Sequence, residues 1–137
     1  MKRIVCITLV FLLSFSLFSC GGTVAGDVDI DISRMSDTMA YSEVSNMTAS
    51  PEDYIGKTVR MRGKFTIYRG GADTVYYACR FDDATSCCSQ SLEFLLLSAS
   101  DYPDDGARET KITVRGVFDT YEEGGNRYCR LIRGELE

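Results

Sequence analysis

The chain contains no histidine. That removes Ser-His and Cys-His nucleophilic sites and the commonest general base. Its six cysteines include no Cys-x-x-Cys pair, so a thioredoxin-like redox motif is absent as well. Carboxylates are plentiful but form no recognisable catalytic pair. Asp82–Asp83 and Glu122–Glu123 fall in expected loops, where solvated charge accounts for them. "GGAD" (70–73) and "EGGN" (123–126) lack the strand-to-helix context of a phosphate-binding loop. With no convergent constellation, the sequence speaks against an enzyme.

A membrane-spanning stretch is missing too. The longest apolar run, "IVCITLVFLLSFSLF" (4–18), falls short of the roughly 20 residues that cross a bilayer. With Lys2 and Arg3 ahead of it and small Ser19 behind, it reads as an export signal over residues 1–19. The following "LFSC" (17–20) resembles a bacterial lipobox, with Leu17 three residues before the cysteine; Phe18 departs from the small residue usual there. The resemblance implies that Cys20 is the first mature residue and carries a lipid, anchoring the protein to the membrane without spanning it. An ordinary secretory signal with an incidental Cys20 is the alternative.

Basic residues are scarce near the start of the mature chain. The whole sequence carries 20 acidic and 15 basic residues, a net of −5, and removal of Lys2 and Arg3 takes this to −7. Between residues 20 and 56 Arg34 is the one base. This balance argues against nucleic acid and anionic headgroups as partners. Residues 20–34, including "GGTVAGDVDIDIS", read as a flexible acidic tether, although the Asp-apolar alternation at 27–32 also suits a short edge strand.

A domain is expected over 35–137. Ala40, Val44 and Met47 repeat with helical spacing, and Ser36 caps a helix over about 36–47. Met35, Met39 and Met47 are read as core filling in preference to a soft metal site. "SPEDYIGK" (50–57) reads as a short helical turn capped by Ser50. Five strands follow, at 58–69, 74–81, 92–97, 111–122 and 127–136, with a polar excursion at 98–110. "VRMRGKF" (59–65) and "ITVRGVF" (112–118) share an Arg-Gly-x-Phe pattern, with Gly63 on the apolar face of its strand. Paired bends of this kind suit a tightly coiled small barrel.

The predicted fold is therefore mainly β: a five-stranded OB-fold-like barrel preceded by a short helix. "SPEDYIGKTVRMRGKF", "CCSQSLEF" and "YCRLIRGELE" are similar to segments of small extracytoplasmic OB-fold domains of bacterial lipoproteins. That resemblance implies a fold and a cell-envelope location, and no agreed activity.

Four cysteines remain in the domain: Cys79, Cys87, Cys88 and Cys129. The expected topology gathers them at one end of the barrel. Disulfides joining Cys87 and Cys88 to Cys79 and Cys129 suit an oxidising compartment. A zinc or Cu(I) site built from the four thiolates, with help from Asp82 or Asp83, is the sharper alternative. Free thiols are the third. No other cofactor is indicated. For ligand binding, the outer face expected to carry Tyr68, Tyr76 and Arg80, beside a basic stripe of Arg60, Arg62 and Lys64, is the candidate surface. The function expected is a membrane-anchored, extracytoplasmic module binding a protein or envelope ligand. A metal-binding lipoprotein is the alternative.

Overall fold

The structure, a computed structural model, describes residues 27–137. The expected signal peptide, the lipobox with Cys20 and the start of the expected tether lie outside the described residues.

Alternation of apolar and polar residues governs the long strands. In β2 (Thr58–Arg69), Val59, Met61 and Phe65 are fully buried while the intervening side chains face outward. The same rule buries Cys79 and Phe81 in β3 (Val75–Asp82), Leu92 and Phe94 in β4 (Ser89–Leu96), Val114 and Phe118 in β5 (Lys111–Glu123), and Leu131 in β6 (Asn126–Leu136). These side chains meet in one core.

The sheet has six strands in the order β1-β2-β3-β4-β6-β5, where β1 is Ile30–Asp31, and β2 also pairs with β5. That last pairing joins β2 through β6 into a ring. β4 and β6 run parallel; the other contacts within the ring are antiparallel. β2 belongs to two ladders: residues 58–64 bond to β5 and 64–69 to β3.

The strand must bend where it changes partners, and Gly63 sits there. A Cβ at Gly63 would stand 2.9 Å from the Cys79 Cβ, and one at Gly116 would stand 2.9 Å from the Ile132 carbonyl oxygen. Both contacts are closer than side chains tolerate, so the shared Arg-Gly-x-Phe pattern marks two tight approaches, of β2 to β3 at Gly63 and of β5 to β6 at Gly116.

Helix α1 (Asp37–Ala49) rests on β3, β4 and β6 with Ala40, Val44 and Met47 buried. The Ser36 hydroxyl accepts from the Met39 N–H at 3.3 Å, as an N-cap does. Met47 is buried and Met35 packs at the edge of the core, while Met39 is exposed. The methionines thus do not converge on one site.

Two local expectations need correction. The flexible tether does not extend to residue 34. Asp29 N–H donates to the Thr58 carbonyl and Ile32 N–H to the Arg60 carbonyl, both at 2.9 Å, which adds β1 to β2 in parallel. The alternation at 27–32 lets Asp31 reach Arg60 at 3.3 Å while Ile32 enters the core with 1% exposure. Ser50 does not cap the next turn with its side chain; its backbone N–H instead closes α1 on the Asn46 carbonyl. The turn itself, Pro51–Asp53, is a single 3-10 turn.

The excursion at 98–110 forms two short 3-10 turns, Ala99–Asp101 and Asp105–Ala107, and returns to cover the core. Tyr102 between them stacks on Tyr77 with ring centroids 4.1 Å apart, and its hydroxyl accepts from the Leu96 N–H at 2.8 Å.

Ile32 separates an integral β1 from a tether. Ile32→Ala is expected to cost about 2–5 kcal/mol, as large-to-small changes at buried sites do. Urea unfolding measures this directly, and a change within a few tenths of a kcal/mol would mean that β1 is dispensable.

Candidate functional site

The six residues expected to share a ligand face divide into two groups. Most of the cations are engaged within the protein. Arg60 donates to Glu137 through Nε at 2.6 Å and to Asp31 at 3.3 Å. Lys64 donates to Asp82 at 2.7 Å, and Arg80 reaches Asp82 at 3.2 Å and grips Glu109 with two bonds of 3.0 and 2.6 Å. The Lys64 ammonium, with Arg80 beside it, holds the Asp82 carboxyl below the ordinary carboxylate value. Arg62 stays exposed. The expected basic stripe is therefore largely an ion-pair network that ties β2 to β1, β3 and the C-terminus.

Tyr68 and Tyr76 belong elsewhere. They face each other across β2 and β3, beside the turn at 70–74. Ring closure brings the end of β5 and the start of β6 to the same place. Tyr68, Tyr76, Tyr121 and Tyr128 line a cleft of about 360 Å³ together with Glu93 and Glu123, and Arg69, Gly70 and Gly71 complete its lining, with the Arg69 guanidinium 3.9 Å from Asp105. That volume lies near the lower end of the range for small-molecule sites.

The cleft is organised around its two carboxylates. Tyr76 donates its hydroxyl to Glu123 at 2.7 Å, and Tyr121 donates to Glu93 at 2.7 Å. Tyr121 stacks on Tyr128 with centroids 5.4 Å apart, and the Arg130 guanidinium lies 4.6 Å from the Tyr121 centroid. One aromatic face thus already receives a cation. Tyr68 and Tyr128 remain partly uncovered, at 41% and 38% exposure. Burial pushes the Glu93 carboxyl above its ordinary value, against the Tyr121 hydrogen bond, which lowers it. Burial and the neighbouring Glu93 raise the Tyr121 phenol in turn. Each carboxylate has accepting positions to spare beyond its phenol.

Of the four tyrosines and two glutamates in the cleft, the sequence pointed to Tyr68 and Tyr76; Glu123, expected as solvated loop charge, instead ends β5 and accepts from Tyr76. Tyr121, Tyr128 and Glu93 lie within strands β5, β6 and β4, where the local sequence carries no signal that sets them apart. A signal was present in the turns: "GGAD" and "EGGN" are each flanked by tyrosine-bearing strands. Only the closed ring puts those two turns at one end.

The cysteines do not gather. Cys79 faces the core opposite Leu92, where burial pushes its thiol up to about 12. Cys129 is partly buried on β6 opposite Thr120, its thiol also raised by burial. Strands β3 and β6 flank β4, so Cys79 and Cys129 stand two strand spacings apart, about 9–10 Å. Cys87 and Cys88 are exposed in the β3–β4 loop, beyond the last pair of that ladder, Asp82 with Ser89. All four described cysteines are free, with none of the expected disulfide pairs at bonding distance, and the strand spacing holds Cys79 and Cys129 apart from each other. The physical reason is direction: Cys79 and Cys129 lie on strands with their thiols toward the core, and Cys87 and Cys88 sit in a loop that leaves the sheet.

What the loop does bring together is Asp83, Cys87 and Cys88, with ligand atoms within 4.8 Å of one another. Cys87 Sγ lies 3.5 Å from Cys88 Sγ and donates to Asp83 Oδ2 at 3.4 Å. Its hydrogen bond with Cys87 raises the Cys88 thiol. Partial desolvation pushes Asp83 up, but donors from Thr85, Cys87 and Cys88 outweigh it and hold the carboxyl below its ordinary value.

Glu93 sets a pH dependence. Because its folded-state value is raised, its contribution to stability is present below the ordinary carboxylate value and lost as pH rises through the raised one. Glu93→Gln removes the desolvated charge and keeps an acceptor for Tyr121. Urea unfolding at neutral pH is expected to find the variant at least as stable as the parent, with the difference vanishing under acid. A variant clearly weaker at neutral pH would mean that the carboxylate is not penalised in the cleft.

No family model matches the chain, and no curated protein matches it. Among solved structures, the chain is similar to a lipoprotein from Klebsiella pneumoniae subsp. pneumoniae MGH 78578, provisionally named as nucleic acid-binding. The likeness has a TM-score of 0.45 at 20% identity, over 78% of this chain and 90% of that one. The exclusion of nucleic acid, drawn from net charge, is withdrawn against this finding. Net charge describes the long-range field, and Arg62 with Lys111 lines one local depression whatever the sum over the chain.

Proposed function

We propose that this protein is a lipid-anchored, extracytoplasmic binding module on an OB-type barrel, and that the tyrosine–glutamate cleft takes a protein or envelope ligand through an amine or guanidinium group. One observation carries the reading: five strands deliver four tyrosines and two carboxylates to one cleft. The proposed anchor rests on the lipobox-like "LFSC" and Cys20. The ring of five strands and the cleft's position beside the β2–β3 and β5–β6 turns support the OB-type assignment.

Ligand chemistry follows from the lining. Aromatic faces attract cations, and a carboxylate already partly stripped of water gains more from an incoming positive charge than a solvated one does. Tyr121 holds Arg130 in this manner within the protein itself. Tyr68 and Tyr128 are the rings left for a ligand, and Glu93 and Glu123 are the counter-charges.

The chain has eight tyrosines and no tryptophan, so its intrinsic fluorescence reports on tyrosine alone. Half of those tyrosines line the cleft. Titration with a short lysine-rich peptide is expected to change this emission saturably, and the same peptide with acetylated lysines is expected to bind at least about tenfold more weakly, or 1.4 kcal/mol. Tyr128→Ala and Tyr68→Ala should each weaken binding while leaving the fold intact, since both rings are exposed. Equal binding of the acetylated peptide, or undiminished binding by both variants, would overturn the reading. A single-stranded oligonucleotide that binds through Arg62 and leaves the tyrosine emission unchanged would also overturn it, moving the binding surface to another face.

A further inference from the structure

The loop between β3 and β4 is a second chemical centre, at the opposite end of the hairpin from the tyrosine cleft. In an extended strand, neighbouring side chains point to opposite faces. Here Cys87 and Cys88 are neighbours whose sulfurs lie 3.5 Å apart. Asp83 arranges this. Its Oδ1 accepts the N–H groups of Thr85 and Cys87 at 3.1 Å each and of Cys88 at 3.4 Å, and its own N–H closes the loop on the Cys88 carbonyl at 3.0 Å. Three backbone donors thus hold Oδ1. Oδ2 is left for the Cys87 thiol, at 3.4 Å, and the Thr85 hydroxyl, at 3.0 Å.

We propose that Asp83, Cys87 and Cys88 form a surface site for a soft divalent cation of the zinc group, with two thiolates and one carboxylate oxygen as protein ligands and solvent completing the shell. The geometry suits it. With metal–sulfur bonds of about 2.3 Å, sulfurs 3.5 Å apart subtend about 100° at the metal, and a slight opening of the pair reaches the tetrahedral angle. Two soft donors and one hard one match zinc and its heavier congeners. The proton that Cys87 shares with Asp83 Oδ2 is among those the ion displaces, so binding leaves that oxygen facing the metal. The step balances: one M²⁺ enters, two S–H bonds break, two metal–sulfur bonds form, and two protons leave to solvent.

The surroundings favour an exchangeable site over a structural one. Both cysteines are exposed, and the depression they border, about 390 Å³, is open to solvent. Lys64 and Arg80 line the same depression with Asp82, to which both are paired, so that carboxylate's charge is already neutralised beside the complex. Cys79 and Cys129 take no part: one faces the core, and the other lies on β6. The site is independent of the tyrosine cleft and stands or falls apart from it.

The test uses the full chain in detergent, reduced and free of air, with Cys6→Ser and Cys20→Ser so that only the described thiols remain. Cd²⁺ serves as probe, because cadmium–thiolate bonds absorb in the ultraviolet. One ion per chain and release of two protons are expected, with affinity rising with pH. Cys87→Ser and Cys88→Ser should each abolish the two-sulfur absorption. Asp83→Asn should keep the absorption and weaken binding about tenfold. Cys129→Ser should change nothing, and far-ultraviolet circular dichroism shows whether each variant is folded. Absence of the absorption in the folded parent, its persistence in the folded Cys87→Ser/Cys88→Ser double variant, or its loss in folded Cys129→Ser would overturn the proposal.

Discussion

Strand β2 carries hydrogen bonds to three other strands, and the rest of the molecule is arranged around how it shares them. Its first half pairs with β5, its second half with β3, and β1 joins its start in parallel. A straight strand cannot turn from one partner to the other within a small ring. Gly63, where a Cβ would collide with Cys79, is the point at which β2 yields, and Gly116 on β5 answers it from the partner strand. Closing the ring also removes the exposed edges that a flat sheet would leave along β2 and β5.

The closure distributes the chemistry between two ends. One end collects the β2–β3 and β5–β6 turns and, with them, tyrosines that are far apart in the chain. The other end carries the β3–β4 loop, whose Asp83 organises two adjacent thiols. The outer face between them is occupied by ion pairs: Arg60, Lys64 and Arg80 each have a carboxylate at 3.3 Å or less. These pairs are partly buried, and pairs that keep contact with solvent add only modest stability individually. Their main effect here is to leave those cations less available to a ligand than their sequence spacing suggests.

Much of this was legible in the residues. Alternation in 58–69 and 111–122 marked the long strands, Ala40, Val44 and Met47 marked the buried stripe of α1, and the repeated Arg-Gly-x-Phe marked the bends. The features that escaped depend on contacts between distant segments. β1 is two residues long, below any reliable period, and its acidic neighbours resemble a tether until Asp31 meets Arg60. Tyr121 and Tyr128 become a site only when ring closure sets them beside Tyr76. The cysteines misled for a related reason: proximity along the strand order does not say which way a thiol points, and Cys79 points into the core.

Ring closure is the claim on which both ends depend, and amide hydrogen exchange measures it most directly. The β2–β5 ladder spans Thr58 with Val117 to Lys64 with Lys111. In a closed ring the amides of β5 that face β2 exchange as slowly as those that face β6. If the sheet is open between β2 and β5, alternate amides across residues 114–117, the part of that ladder that also pairs with β6, exchange at rates close to those of an unprotected chain while their neighbours stay protected. Uniform slow exchange along that stretch is the expected result, and an alternating fast pattern would contradict the account.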